Sequence, residues 1–311
     1  MKKIITIIIG VSTLLFALTG VSRADELKGT ISISGAFATY PTAVAWAEAF
    51  KKKNPGVKIN LSAGGAGKGA TDAIAGLVDI GMVSRDPDQS EINKGITPIY
   101  ILHDAIYPVV SEKNVAINEM LKKGLTKQAL TGIYVNGSIT SWDDAVGGIN
   151  KPIHIYTRSD ACGSASTLAK YLGNKKQEDL KGVGVFGDPG LLQVAIRDNL
   201  GISYNNFSYV FTRDGSVIAG AKLIPIDVNK NGVADPDEII TNREDSIKAI
   251  ESGKYPLTRK NYFFVKGKPN AITKAFLEFA LSDEGSKIVD EVGANLPLTA
   301  KDREKVLKTL N

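Results

Sequence analysis

Apolar and polar side chains alternate from Gly29 to Gly35, with Ile31 and Ile33 on one face and Thr30, Ser32 and Ser34 on the other. That period predicts a half-buried strand ending at a glycine, after which Thr39-Tyr40-Pro41 opens a helix running through Phe50. The unit then repeats. Residues 57–61 read as a strand, 63–69 as a glycine-rich loop and 70–76 as a helix, followed by a short buried strand over 79–83. Such alternation predicts an α/β protein with helices layered on a mostly parallel sheet. A long apolar stretch over 99–110, interrupted by His103 and Asp104, is expected to carry the chain from one lobe into another. Residues 118–144 read as helical, with turns at Asn136-Gly137 and Gly147-Gly148. A strand over 153–156 feeds a loop over 157–165 and a helix over 166–172. Near the C-terminus 261–265 is a strand returning to the first lobe, a helix begins over 269–279, and a last helix covers 300–310. The expected organisation is lobe 1 over 25–105 and 260–311 and lobe 2 over 106–259, joined by two extended crossings.

The first residues change the picture of where the protein works. Lys2 and Lys3 precede an apolar run from Ile4 to Leu18, and Ser22-Arg23-Ala24 follows. This is the order of a secretory signal peptide over 1–24, with cleavage expected after Ala24. The run is shorter than the about 20 apolar residues of a membrane span. No cysteine follows that could carry a lipid anchor, so a free periplasmic protein is expected. Cys162 is the sole cysteine, which leaves an exported chain without an intramolecular disulfide and dependent on its core. The formal net charge of +5 falls to about +2 once Lys2, Lys3 and Arg23 are removed. Basic residues are scattered and not interleaved with aromatics, a pattern that excludes a nucleic-acid platform. A monomer is expected.

Candidate chemistry gathers where strands end in small residues and helices begin: at Ala38-Thr39, at Gly65-Ala66-Gly67 and at Cys162-Gly163-Ser164. The first N–H groups of a helix lack intrahelical partners and point outward, and the helix dipole adds about half a positive charge there. Glycine lets an oxyanion approach the backbone closely. One such loop is weak evidence; three in one chain predict an anion site. Arg158, with Asp160 two residues on to hold its fork, adds a charge suited to bidentate oxyanion contact. Arg85, in Ser84-Arg85-Asp86, offers a second guanidinium, equally readable as a surface ion pair.

The order Ser34-Gly35-Ala36-Phe37-Ala38-Thr39-Tyr40-Pro41, Gly64-Gly65-Ala66-Gly67-Lys68-Gly69, Val78-Asp79-Ile80-Gly81-Met82-Val83-Ser84-Arg85 and Arg158-Ser159-Asp160-Ala161-Cys162-Gly163-Ser164 resembles the phosphate-binding proteins of ABC importers. The likeness extends through Leu125-Thr126-Lys127, Ile139-Thr140-Ser141-Trp142 and Phe279-Ala280-Leu281-Ser282-Asp283-Glu284-Gly285. It implies a type II periplasmic-binding-protein fold, two α/β lobes joined by two crossover strands, with dehydrated phosphate between them and a membrane permease as partner. Carried over by position, Ala38 and Thr39 give backbone and hydroxyl contacts, Ser84 a hydroxyl, Arg158 braced by Asp160 the charge, and Gly163 and Ser164 the rest of the second lobe's share. Gly67, Arg85 and Cys162 complete the candidate set. Two positions depart from the family: Ala66 and Cys162 stand where serine is usual. Each lost hydroxyl removes a donor worth about 0.5–1.5 kcal/mol, which leaves tungstate, molybdate and sulfate as alternative cargo. An acceptor for a protonated ligand oxygen is also required, with Asp86 and Asp160 as acidic candidates.

A second motif lies outside those loops. From Asp227 to Glu238 the chain matches the calcium-binding EF-hand loop at its ligand positions and at the turn glycine, Gly232. Asp227, Asn229, Asn231 and Asp235 offer side-chain oxygens, Val233 a carbonyl, and Glu238 a closing carboxylate. A structural calcium ion is therefore the one cofactor expected. The stretch before it, Leu223-Ile224-Pro225-Ile226, reads as strand where an EF-hand has a helix. A calcium-dependent extracellular interaction protein remains an alternative of another class. An enzyme built on Cys162 would need His103 or His154 brought beside it, and no motif indicates that, so no catalysis is expected.

Overall fold

The computed structural model describes residues 26–310; the expected leader over 1–24 lies outside the described residues. Among the described residues ten strands are formed: β1 Gly29–Gly35, β2 Val57–Ala63, β3 Ile80–Val83, β4 Ile96–Ser111, β5 His154–Arg158, β6 Val183–Val185, β7 Gly201–Asn206, β8 Ala221–Leu223, β9 Thr258–Lys266 and β10 Leu296–Pro297. They order as β2-β1-β3-β9-β4-β7-β5-β6, with β8 and β10 also paired to β4. β1 runs parallel to β2 and β3, and β5 runs parallel to β6 and β7, whereas β4 and β9 pair antiparallel. The alternation of β1 is realised as read: Ile31 and Ile33 are buried, and Ser32 hydrogen-bonds Asp79 at the start of the next strand (2.8 Å).

Two hydrophobic cores form, and β4 serves both. One holds Ile31, Trp46, Phe50, Phe263 and Phe276; the other holds Tyr107, Trp142, Leu168, Tyr204 and Phe207. Along β4 the first core ends at Leu102 and the second begins at Ala105. The first part of β4 pairs with β9 and β10, and its last part with β7 and β8. Between the cores the two crossing strands are polar. Buried Asp104 of β4 accepts from Arg259 of β9 (Nε to Oδ2, 2.9 Å), and the same guanidinium reaches Asn206.

Some elements differ from the expectation. The helix read over 118–144 is broken into Ile117–Lys123, Lys127–Thr131 and Trp142–Val146, with a wider turn over Gly132–Asn136. Gly124 and Gly137 adopt the left-handed φ that stops a helix, and Thr126 restarts one by accepting from the Ala129 N–H. The first helix, α1, Tyr40–Lys53, begins as read and runs three residues past Phe50, whereas α2, Ala66–Ala75, and the helix after β5, Gly163–Tyr171, begin earlier than read. Residues 173–223, where alternation is indistinct, hold β6, β7, β8 and a helix over Gly187–Arg197. No helix among the described residues is long and apolar enough to cross a membrane.

Candidate functional site

Arg158 ends β5 with its guanidinium fully buried, and three acidic or aromatic neighbours fix it. Nε and Nη2 donate to the two carboxylate oxygens of Asp160 (Nε to Oδ1, 2.8 Å), and Nη1 stands 2.6 Å from Oδ2 of Asp188. The ring of Phe37 lies under the guanidinium at 5.3 Å. The loop that follows is tied down as firmly. Asp160 also accepts from the Gly187 N–H, its carbonyl accepts from Gln177, and Gln177 accepts in turn from the Cys162 N–H. Burial alone would lower the pKa of Arg158, but the charges of Asp188 and Asp160 outweigh it and raise it, so the guanidinium stays charged. Burial pushes the Asp188 carboxyl up against the pull of Arg158.

The two lobes meet at this loop. The Gly67 N–H, in the first turn of α2, donates to the Ala161 carbonyl at 2.9 Å. Gly163 packs against Ser84 so closely that a Cβ there would sit 2.1 Å from the Ser84 carbonyl oxygen. The Tyr209 hydroxyl donates to the Phe37 carbonyl from the other lobe at 3.2 Å. Along this junction lie polar atoms that are buried and have no hydrogen-bond partner in the protein: Thr39 Oγ1, Arg158 Nη1 and Asp188 Oδ1. Nη1 thus contacts Asp188 as an ion pair outside hydrogen-bonding geometry. A buried donor or acceptor left unpaired costs about 1–3 kcal/mol, and a tetrahedral oxyanion is the kind of group that would satisfy several at once.

The other candidate residues sit as follows. Ala38 is buried and its carbonyl accepts from Asn295 at 3.2 Å. Ser84 is buried at the end of β3. Ser164 Oγ lies 3.2 Å from Cys162 Sγ, which also caps the Gly163–Tyr171 helix by accepting from the Ala165 N–H. Arg85 is held within its own lobe by both oxygens of Glu91 (2.7 and 3.0 Å) and reaches the same interlobe cavity of about 1070 Å³ that Gly67, Ala161 and Cys162 line. Lys170, Lys176 and Lys260 give that cavity a basic wall. Asp86 is exposed and paired with Lys170 at 3.0 Å.

Asp188 and Gln177 carry no mark in the sequence reading. The readable signal was a helix start, Gly187 with an acid at the next position and Pro189 after it, but nothing local says that this acid reaches Arg158. The reactive-thiol reading loses its partners: His103 pairs with Tyr100, His154 with Asp198 at 2.7 Å, and burial pushes the Cys162 thiol up.

The loop over 227–238 is irregular and follows β8 where an EF-hand would have a helix. Asp227 is buried and its carboxylate accepts from the N–H groups of Lys230, Asn231 and Gly232. Asn229 and Asn231 accept from the Asn231 and Val233 N–H groups and turn their amides toward Asp235, and Glu238 accepts from Val228 and Asp235. Among the described residues no group of three or more His, Cys, Asp or Glu side chains is arranged to hold a metal ion.

Residues 20–284 match the family described as the PBP superfamily domain. The chain belongs to the PBP superfamily. This PBP-superfamily chain is 27% identical over 280 residues to the phosphate-binding protein PstS of Bacillus subtilis, covering 88% of itself and 83% of that protein. It is 27% identical to the phosphate-binding protein PstS of Pseudomonas aeruginosa, with 94% and 91% covered. A structure from Clostridium perfringens, described as that of a candidate phosphate ABC transporter substrate-binding protein with bound phosphate, matches with a TM-score of 0.72 at 27% identity, over 87% of this chain and 100% of that one. An ABC-type phosphate transport receptor from Vibrio cholerae shares the fold at 20% identity, with a TM-score of 0.65 over 87% of this chain and 100% of that one. Two α/β lobes joined by β4 and β9 make this the type II periplasmic-binding fold.

Proposed function

We propose that this protein is an exported, periplasmic solute-binding protein that captures inorganic phosphate between its lobes and delivers it to the permease of an ABC importer. The observation that carries the reading is Arg158: a buried, charged guanidinium at the lobe junction, with one nitrogen lacking a hydrogen-bond partner and an unpartnered Thr39 hydroxyl on the facing lobe. The names of the relatives in Bacillus subtilis and Pseudomonas aeruginosa point to the same cargo. Thr39, Ser84, Arg158, Gly163 and Ser164 form the proposed ligand shell, with Ala38 lending its backbone and Asp160 positioning the guanidinium; the Gly67 and Cys162 N–H groups, already donated to the Ala161 carbonyl and to Gln177, shape the loops around that shell. Arg85 serves the cavity wall. The lobes divide as 25–105 with 260–311 and 106–259, in line with the split of the two cores at β4. No catalytic step is assigned.

The test is titration of phosphate into the mature chain and into Arg158→Lys. A lysine cannot hold Asp160 bidentately and still present a donor to the ligand, so affinity is expected to drop at least about 100-fold, about 2.7 kcal/mol. Equal affinity of the two proteins would overturn the assignment.

A structural calcium ion at 227–238 is part of the same proposal, supported by the ligand spacing and the buried carboxylate of Asp227. Millimolar calcium is expected to raise the thermal midpoint and Glu238→Gln to abolish the rise; a midpoint indifferent to calcium would remove the ion from the account.

A further inference from the structure

Two cavities open between the lobes, and they differ in charge. The charged residues lining the one of about 760 Å³ against α1 are Glu48, Lys52, Arg213 and Glu291, in balance. The one of about 1070 Å³ reaches the anion-site loops at Gly67, Ala161 and Cys162, and it is basic. Part of that charge is neutralised in place: Arg85 pairs with Glu91 and Asp88, Arg259 with Asp104, and Lys170 with Asp86. Four lysines are not neutralised. Lys127, Lys175, Lys176 and Lys260 line the same cavity and form no ion pair among the described residues, against one unpaired acid, Glu178. Lys127 rests over the Tyr171 ring at 4.9 Å and Lys260 over the Tyr100 ring at 5.0 Å, contacts that hold a cation without cancelling its charge. Lys175 and Lys176 adjoin Gln177, whose side chain accepts from the Cys162 N–H and donates to the Asp160 carbonyl. The cationic rim is thereby tied to the loop that fixes Arg158.

Resting on the phosphate reading above, we propose that this basic cavity is the entrance to the interlobe site, and that Lys127, Lys175, Lys176 and Lys260 draw the anion into it. A cleft lined by one sign of charge between low-dielectric walls focuses the field and raises the rate of encounter with the opposite sign. Exposed charges act within about a Debye length, roughly 8 Å at physiological salt. Their effect therefore falls on the association rate and its salt dependence, while dissociation is set by the buried shell around Arg158. The balanced cavity against α1 exerts no such pull.

The experiment is stopped-flow mixing of phosphate with the full mature chain and with two double variants that change the net charge equally. Lys176→Glu with Lys260→Glu alters the basic cavity, and Lys52→Glu with Arg213→Glu alters the balanced one. The first pair is expected to slow association at least about tenfold and to leave dissociation within about twofold of the parent, and the second to leave both rates within about twofold. In the parent, association is expected to slow at least about fivefold between about 0.02 and 0.5 M ionic strength. An unchanged association rate in the first pair, equal slowing in both pairs, or a loss carried by dissociation alone overturns the proposal. Should the first pair not fold, the parent decides: association indifferent to ionic strength overturns the role of the lysines while leaving phosphate capture standing. A parent that binds no phosphate overturns phosphate capture itself, and the two failures are thereby told apart.

Discussion

Gly163 leaves no room for a side chain, because the Ser84 carbonyl occupies the place of a Cβ at 2.1 Å. The contact joins opposite lobes, so a methyl group there strains the closed junction and not the interior of either lobe. Gly163→Ala is therefore expected to weaken phosphate binding at least about tenfold, about 1.4 kcal/mol. Its thermal midpoint should hold, since alanine suits a helix better than glycine does. A variant with parental affinity would mean that the junction opens at that point when ligand is bound. Residue type gave partial access to this. Arg158 and Asp160 are readable as a pair because they are two apart in sequence. Asp188 is not readable, since its approach depends on the placement of a helix over Gly187–Arg197 that no strong periodicity announces.

Helix starts set the character of the site at the next scale. The Gly163–Tyr171 helix is capped by a thiol, and Cys162 Sγ accepts from the Ala165 N–H at 3.4 Å. Sulfur is a weak acceptor, whereas serine is among the preferred N-caps and is worth about 0.5–2 kcal/mol over an uncapped end. Cys162→Ser is expected to raise the thermal midpoint by a few degrees and to strengthen phosphate binding several-fold, as measured by melting and titration; loss of both would show that the thiol's size is needed in the buried pocket. The element pattern was legible where alternation was clean, as in β1 and in the long apolar run that became β4. It failed over 118–144, where Gly124, Thr126 and Gly137 break a run whose apolar positions alone suit one helix. It also placed the starts of α2 and of the Gly163–Tyr171 helix too late, because small residues that look like loop occupy their first turns.

At the scale of the molecule, the chain passes between the lobes along β4 and into β9, and Asp104 with Arg259 pins these strands together where the two cores part. A two-strand link of this kind lets the lobes move as bodies while each keeps its own core, the hinge geometry by which a ligand is enclosed. The crossing was legible from the length and apolarity of 99–110; of the buried ion pair only Asp104 was visible, as one of the polar interruptions of that run, and its partner Arg259 on β9 was not. The central claim is that one oxyanion is held between the lobes at Arg158. The most direct measurement is a crystal structure of the mature chain with arsenate, located by its anomalous signal. A single arsenic site is predicted within hydrogen-bonding reach of Arg158 and Thr39, its oxygens touching both lobes. Arsenic bound elsewhere, or on one lobe alone with Arg158 uninvolved, would contradict it.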